Sequence, residues 1–275
     1  MAYVFPGEGS LDYFPCHYGS SRLMFRGPRR DTARAFVAVL GGTETYGKFV
    51  PDPFADLLER DLGLPVVNFG CMNAGPDVFL QEEPVLALAA EANVAVVQVM
   101  GAQNLSNRYY TVHPRRNDRF LGATPLLKAI FPQVDFTEFA FTRHMLTTLQ
   151  ARSADRFEVV AEELRAAWVA RMRALLSRLH APTVLLWMAE TPPPSPTRRV
   201  ALGAAPLLVD DEMIAALRPL VSRYVETVFS PAARRQGLDG MSFGPLEAPV
   251  AAQVPGPLAH REVAVALLPV VEDLL

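Results

Sequence analysis

The chain has 275 residues, half of them apolar, enough for one large domain with a substantial core. A formal net charge of -3 gives no bulk attraction to nucleic acid or to an anionic membrane, so neither partner is expected. Cys16 and Cys71 fit neither a disulfide framework nor a metal-ligand spacing and are expected to be reduced, buried thiols. The first residues, MAYVFPGEGSLDYF, lack a basic start and a long apolar stretch, and no apolar run approaches the about 20 residues of a membrane span. A cytoplasmic protein with no signal peptide is the expectation.

Residues 1-34 carry the turn-forming clusters FPGEGS, FPCHYGSS and FRGPRR with aromatics between them, which predicts an irregular N-terminal arm. Phe36 to Leu40 is an unbroken apolar run of strand length, followed by Gly41-Gly42 and then Thr43, Glu44 and Thr45. Such a run suits a strand buried on both faces of a parallel sheet, and the turn after it delivers polar groups to the carboxyl edge, where open α/β folds bind their ligands. Pro53 to Leu62 has helical spacing with an acidic face. Leu64 to Phe69 predicts a second strand, ending in GCMNAG. Asp77 is placed to cap a helix through about Ala92, bent or divided at Pro84. Val94 to Met100 is a third strand.

From Gly101 to about Phe157 the alternation lapses into a long insertion, a feature more often functional than idle. Phe157, Val160, Leu164, Trp168, Met172 and Leu175 then recur at spacings of three and four, predicting a helix from about Asp155 to Leu179. Thr183 to Met188 is a fourth strand, TPPPSP a loop, and Leu207 to Val209 a short fifth strand. Asp210 or Asp211 is expected to cap a helix to about Phe229, and Ala259 to Leu274 to form a closing helix. Strand-helix alternation with apolar strands predicts an α/β protein with a central parallel sheet of about five strands and helices on both faces.

GGTETYG follows the first strand, VVNFGCMNAGPD the second and VMGAQNL the third, and His260 lies in PLAHREVAVAL at the last helix. This order resembles the SGNH, or GDSL-like, hydrolase family of esterases, lipases and carbohydrate deacetylases. The resemblance implies a three-layer flavodoxin-like (SGNH-type) sandwich for a single domain at 35-275, and covers neither the arm at 1-34 nor the insertion at about 101-157. It puts Thr43 in the place of the nucleophilic Ser, Asn73 in that of the oxyanion-hole Gly, and Gln103, followed by Asn104, in that of the Asn of the third motif. His260 takes the place of the catalytic His, while Gly42 and Pro257 stand where the family has Asp. With Pro257 there, a carboxylate to orient the imidazole would have to come from elsewhere, Glu44 and Glu262 being the candidates. The words LDYFPCHYGSSRLMFRGP, GGTETYGKFV and HPRRNDRF are also similar to those of a bacterial family of unknown function.

In the insertion, His113, Arg115, Arg116 and Arg119 lie close in sequence, and their guanidinium forks suit a carboxylate, sulfate or phosphate. The same arginines have a second reading, as a solvated loop or as partners of Asp118, Asp135 and Glu138. The five histidines are dispersed without HxH or HExxH spacing, and neither a Walker loop nor GxGxxG is present, so no metal and no cofactor are expected. The expected function is an SGNH-like esterase or acyltransferase of altered site, acting on an acylated, anionic small molecule or saccharide. Thr43 would be the nucleophile, His260 the base, Asn73 with Gln103 or Asn104 the oxyanion donors, and His113 and the arginines the substrate clamp. The alternatives are an inactive binding or regulatory module, and another group transfer that uses Glu44 or the Arg-rich insertion.

Overall fold

The computed structural model describes residues 11-196, 202-203 and 205-275, so the FPGEGS cluster of the arm lies outside the described residues. Four apolar runs form β1 (Val37–Gly41), β2 (Val66–Gly70), β3 (Val94–Gln98) and, later in the chain, β6 (Thr183–Ala189). Every residue of these four strands is buried, as a sheet covered on both faces requires. After β1 come α1 (Thr43–Tyr46) and α2 (Phe54–Leu62), and after β2 come α3 (Pro76–Leu80) and α4 (Glu83–Ala90). The helical stretch beyond Gly75 is thus divided, with Pro84 opening the second segment. Gly75, not Asp77, is the N-cap residue of the first. Asp77 instead accepts a hydrogen bond from the Ser106 N–H (2.9 Å) and pairs with Arg171 (2.8 Å), which ties α3 to the insertion and to the long helix below.

The insertion is a folded unit. A hairpin of β4 (Tyr110–His113) and β5 (Arg116–Ala123) leads into α5 (Pro125–Ile130) and α6 (Thr142–Arg152). Then α7 (Ala154–Leu176) returns along the sheet, its N-terminus capped by the Ser153 side chain. Trp168, fully buried on α7, donates its indole N–H to the Met100 carbonyl at 2.8 Å and so fixes the exit of β3 against the helix.

The fifth strand departs from the expectation. Leu207 to Val209 is not a strand, and α8 (Asp211–Ala215), capped by Asp210, covers only the start of the expected helix. A 3-10 turn containing Pro219 interrupts the chain, and β7 (Arg223–Val228) follows as a half-exposed edge strand. Apolar residues at helical spacing hid it; Pro219 and the run of Tyr224, Val225, Thr227 and Val228 are the signals that favour a strand. The chain ends in α9 (Pro231–Gln236), α10 (Ala248–Ala251) and α11 (Pro257–Leu274).

The five strands are all parallel in the order β2-β1-β3-β6-β7. Alternate strand residues face opposite sides. Val37 and Val39 join a core with Phe54 and Leu58 of α2 and Val263 and Leu267 of α11. Ala38 and Leu40 join the larger core with α3, α4, the insertion and α7, which also takes in Tyr18 and Phe25 of the arm. Helices on both faces of a doubly wound sheet make this a three-layer α/β fold.

At the carboxyl edge α1 lies directly on the end of β2. Asn68 Nδ2 donates to the Thr45 carbonyl (2.8 Å), and the Gly70 N–H donates to Asn68 Oδ1 (2.8 Å). A Cβ on Gly70 would fall on the backbone of Thr45 and Tyr46. Gly70→Ala should therefore cost about 2 kcal/mol or more by overpacking. Gly122→Ala, where a Cβ would meet nothing, should stay within about 0.5 kcal/mol. Urea unfolding of both variants is the check, and equal midpoints would show that α1 does not need this contact.

Candidate functional site

The ends of β1, β2 and β3 converge on a short hydrogen-bonded network. β1 stops at Gly41, Gly42 caps α1, and Thr43 occupies its first position. Thr43 Oγ1 accepts the Asn73 N–H at 2.8 Å and is 3.3 Å from Asn73 Oδ1, to which it donates. Asn73 holds a left-handed backbone (φ 56°), a conformation that Asn tolerates better than most residues. Its Nδ2 donates to Asp118 Oδ2 at 3.3 Å, and its carbonyl accepts from Asn104 Nδ2 at 2.9 Å. Asn104 is itself buried and takes the Thr142 hydroxyl at 2.7 Å.

Beneath this lies Gln98, the last residue of β3 and 2% exposed. Its Oε1 accepts from the Gly42 N–H and from Thr45 Oγ1, each at 2.8 Å, and its Nε2 donates to Glu44 Oε2 at 3.1 Å. Asn117, fully buried in the hairpin, accepts the Gly75 and Val78 N–H groups at 3.1 Å each and so closes the start of α3. One buried amide organises the turn after β1, and another the turn after β2.

Above the network opens a cleft of about 560 Å³, within the range of small-molecule sites. Thr43, Glu44, Asn73, Gln98, Gln103 and Asn104 all line it. Met72, Met100 and Met188 add an adaptable apolar wall. The C-terminal side is formed by Gln253, Val254, Pro255, Gly256 and Ala259, none of which can take up a proton. Among the described residues, the carboxylates that line the cleft are Glu44, half-buried, and Glu190, exposed. Cys71 does not line the cleft, and burial pushes its thiol up to about 12, so it is no nucleophile at neutral pH.

His260 does not take the position expected of a base. It is 1% exposed and is not among the residues lining the cleft. Its ring stacks on Phe54 with centroids 5.9 Å apart, and Nδ1 accepts the Phe54 N–H at 3.1 Å, satisfying the first amide of α2. Burial, aided by the nearby Arg26 charge, lowers its pKa to about 3. Among the described residues no hydrogen bond joins it to Thr43, whose partner is Asn73. Glu262 does not orient the imidazole either; its Oε2 accepts the Ser230 N–H at 3.0 Å.

The expected clamp also lies elsewhere, for none of His113, Arg115, Arg116 and Arg119 lines the cleft. His113 Nδ1 accepts the Arg115 N–H (3.2 Å), Arg115 and Arg116 are exposed, and Arg119 lies over the Phe141 ring (5.5 Å). Asn73, Gln103 and Asn104 do come together, but the Asn104 amide N–H is directed at the Asn73 carbonyl. Gln103 keeps its Oε1 buried with no hydrogen-bond partner among the described residues, while its carbonyl accepts from the Tyr110 hydroxyl at 2.7 Å. Sequence reasoning missed Gln98, Lys48, Arg143 and Arg234, all of which line the cleft. A single amide inside the apolar run VAVVQVM was the available signal for Gln98. The three cations are scattered in sequence and gave none.

Among the described residues, no group of three or more His, Cys, Asp or Glu side chains could hold a metal ion, and no helix is long and apolar enough to cross a membrane. The fold and the cleft define an α/β protein with a polar-lined cleft at the carboxyl edge of its sheet. The chain belongs to the family described as Domain of unknown function (DUF6473), whose model matches residues 1–275. No curated protein matches the sequence.

Several solved structures are similar in the course of the chain. A carbohydrate esterase family 2 enzyme with a carbohydrate binding domain from Corynascus thermopiles (Myceliophthora fergusii) has a TM-score of 0.46 at 10% identity, over 90% of this chain and 68% of that one. A family two carbohydrate esterase from Clostridium thermocellum, solved with cellohexaose, has a TM-score of 0.45 at 11% identity, over 91% and 67%. Phospholipase A1 from Streptomyces albidoflavus NA297 has 0.44 at 11% identity, over 88% and 100%.

The buried imidazole predicts an acid sensitivity. The folded chain holds His260 neutral, so its contribution is complete above the unfolded pKa of about 6.5 and is lost as pH falls towards about 3. Between pH 7.5 and 5 this group should remove about 2 kcal/mol of stability. Asn in its place keeps an acceptor for the Phe54 N–H but does not titrate. Unfolding free energies at the two pH values should therefore differ by about 2 kcal/mol less in His260→Asn than in the wild type; an identical pH dependence would mean that the imidazole is not held neutral.

Proposed function

We propose that the cleft binds a small molecule or saccharide, acylated in the SGNH manner, and that histidine-assisted hydrolysis is not its chemistry. The observation that carries this reading is the cleft's C-terminal wall, where the imidazole of an SGNH triad is expected. It offers only groups that cannot take up a proton, while His260 is spent on capping α2. The Thr43 hydroxyl donates to an amide oxygen, and an amide does not serve as a general base at neutral pH. Concave shape, mixed polar and apolar lining and a preformed hydrogen-bond network all support binding.

One observation favours a second reading, acyl transfer through Thr43. The Asn73 N–H directed at Oγ1 would stabilise negative charge on that oxygen during attack, and Glu44 is the half-buried carboxylate of the same short helix.

Turnover of p-nitrophenyl acetate and acetylated glucose by wild type, Thr43→Ala, Glu44→Gln and His260→Asn separates the readings. Binding without hydrolysis predicts equal, background rates in all four, with amide chemical-shift changes at Thr43 and Asn73 on adding acetylated glucose. Loss of at least about 100-fold in both Thr43→Ala and Glu44→Gln, with His260→Asn unchanged, would establish the second reading. Loss in His260→Asn, with a rate that titrates near the ordinary histidine range, would overturn both.

A further inference from the structure

The binding reading can be taken further, to the charge of the ligand. We propose that Lys48, Arg143 and Arg234 form an oxyanion subsite in the cleft, and that the ligand carries a phosphate, sulfate or carboxylate substituent there. This rests on the reading of the cleft as a small-molecule site.

The three cations come from unrelated parts of the chain: the segment between α1 and α2, helix α6 and helix α9. All three line the same cleft. Among the described residues none of them is in an ion pair, whereas nine other pairs tie up Arg30, Arg60, Arg108, Arg165, Arg171, Arg178 and Arg223. In a chain of net charge -3, the cleft gathers three cations against two carboxylates among the described residues. Those carboxylates are Glu44, which accepts a hydrogen bond from Gln98, and Glu190; among the described residues neither is in an ion pair with the three cations. Unpaired guanidinium groups offer forked donors to a tetrahedral or planar oxyanion, and a lysine adds a compact charge.

Lys48 is the best held of the three. Its ammonium lies 4.5 Å from the centre of the Phe49 ring, and Phe49 holds a left-handed backbone (φ 67°), a costly conformation for a bulky residue. Two sides of the molecule enforce it. The Phe49 N–H donates to the Tyr13 hydroxyl at 2.9 Å, and its carbonyl accepts the Ser242 N–H at 2.8 Å. Arg26, buried in the arm, donates to the carbonyls of Gly47 and Pro51, each at 2.6 Å, on either side of the same turn. Strain of this kind persists only where the surroundings over-determine it, and here it fixes the backbone beside Lys48, which lines the cleft.

Calorimetry with two matched sets of probes, phenyl phosphate, benzoate and benzyl alcohol, and glucose 6-phosphate, glucuronate and glucose, tests the subsite on the full chain. In at least one set the anions should bind at least about tenfold tighter than the neutral member, a gap that narrows with added salt. Which anion binds tightest tells phosphate from carboxylate recognition. Arg143→Gln and Arg234→Gln, both at exposed positions, should each lose most of that preference without a change in melting temperature. Arg115→Gln and Arg116→Gln should keep it.

Equal binding of charged and neutral probes would overturn the subsite and leave the cleft reading standing. Preference that survives in the Arg143 and Arg234 variants, or that is lost in the Arg115 and Arg116 variants, would likewise place the anion elsewhere. No binding of any probe at millimolar concentration would remove the cleft reading and the subsite with it.

Discussion

The architecture of the site depends on one buried amide. Gln98 ends β3 at the centre of the sheet's carboxyl edge and is the only side chain that touches the Gly42 N–H, the Thr45 hydroxyl and the Glu44 carboxylate among the described hydrogen bonds. A buried polar group is tolerable only when its donors and acceptors are matched, and here both ends of the amide are used. The match sets where α1 begins, and α1 carries Thr43 and Glu44 to the mouth of the cleft. Asn68 holds the far side of the same helix against β2, so the turn after β1 is gripped from both neighbouring strands.

The treatment of His260 follows from the same economy of buried polar groups. The first N–H of α2 has no partner within its own helix, and Pro53 before it offers no side-chain cap. An imidazole from α11 supplies the acceptor, with Phe54 stacked on it. That duty needs a neutral ring, and both burial and the Arg26 charge keep it so. A group held this firmly in one protonation state is suited to joining two helices and unsuited to exchanging protons with a ligand.

Charge is distributed by a comparable logic. The Arg-rich hairpin turns its guanidinium groups to solvent or onto Phe141, while its polar interior residue, Asn117, reaches inward to close α3. The cations at the cleft come instead from positions far apart in the chain. The arm, which contains no helix among its described residues, acts on the site at a distance through Tyr13 and Arg26, whose hydrogen bonds fix the turn bearing Lys48. The arm therefore serves the cleft by holding its wall, while the insertion lines it directly with Gln103, Asn104 and Arg143.

What the sequence determined by itself was whatever local periodicity dictates. Four buried strands are almost wholly apolar runs, and α7 is a long stripe at helical spacing; each was readable because burial on two faces, or on one stripe, forces that pattern. The edge strand β7 was not, since a half-exposed strand needs no continuous apolar run and its few buried positions also fit a helix. The gathering of Thr43, Glu44, Asn73, Gln103 and Asn104 at one edge followed from their positions after consecutive parallel strands. The tertiary structure alone decided which way each side chain faces and what it touches. It turned His260 into a helix cap, left His113, Arg115, Arg116 and Arg119 outside the cleft and brought Lys48, Arg143 and Arg234 into it. Such assignments depend on contacts between residues as much as 206 positions apart, and neither spacing nor composition along the chain encodes them.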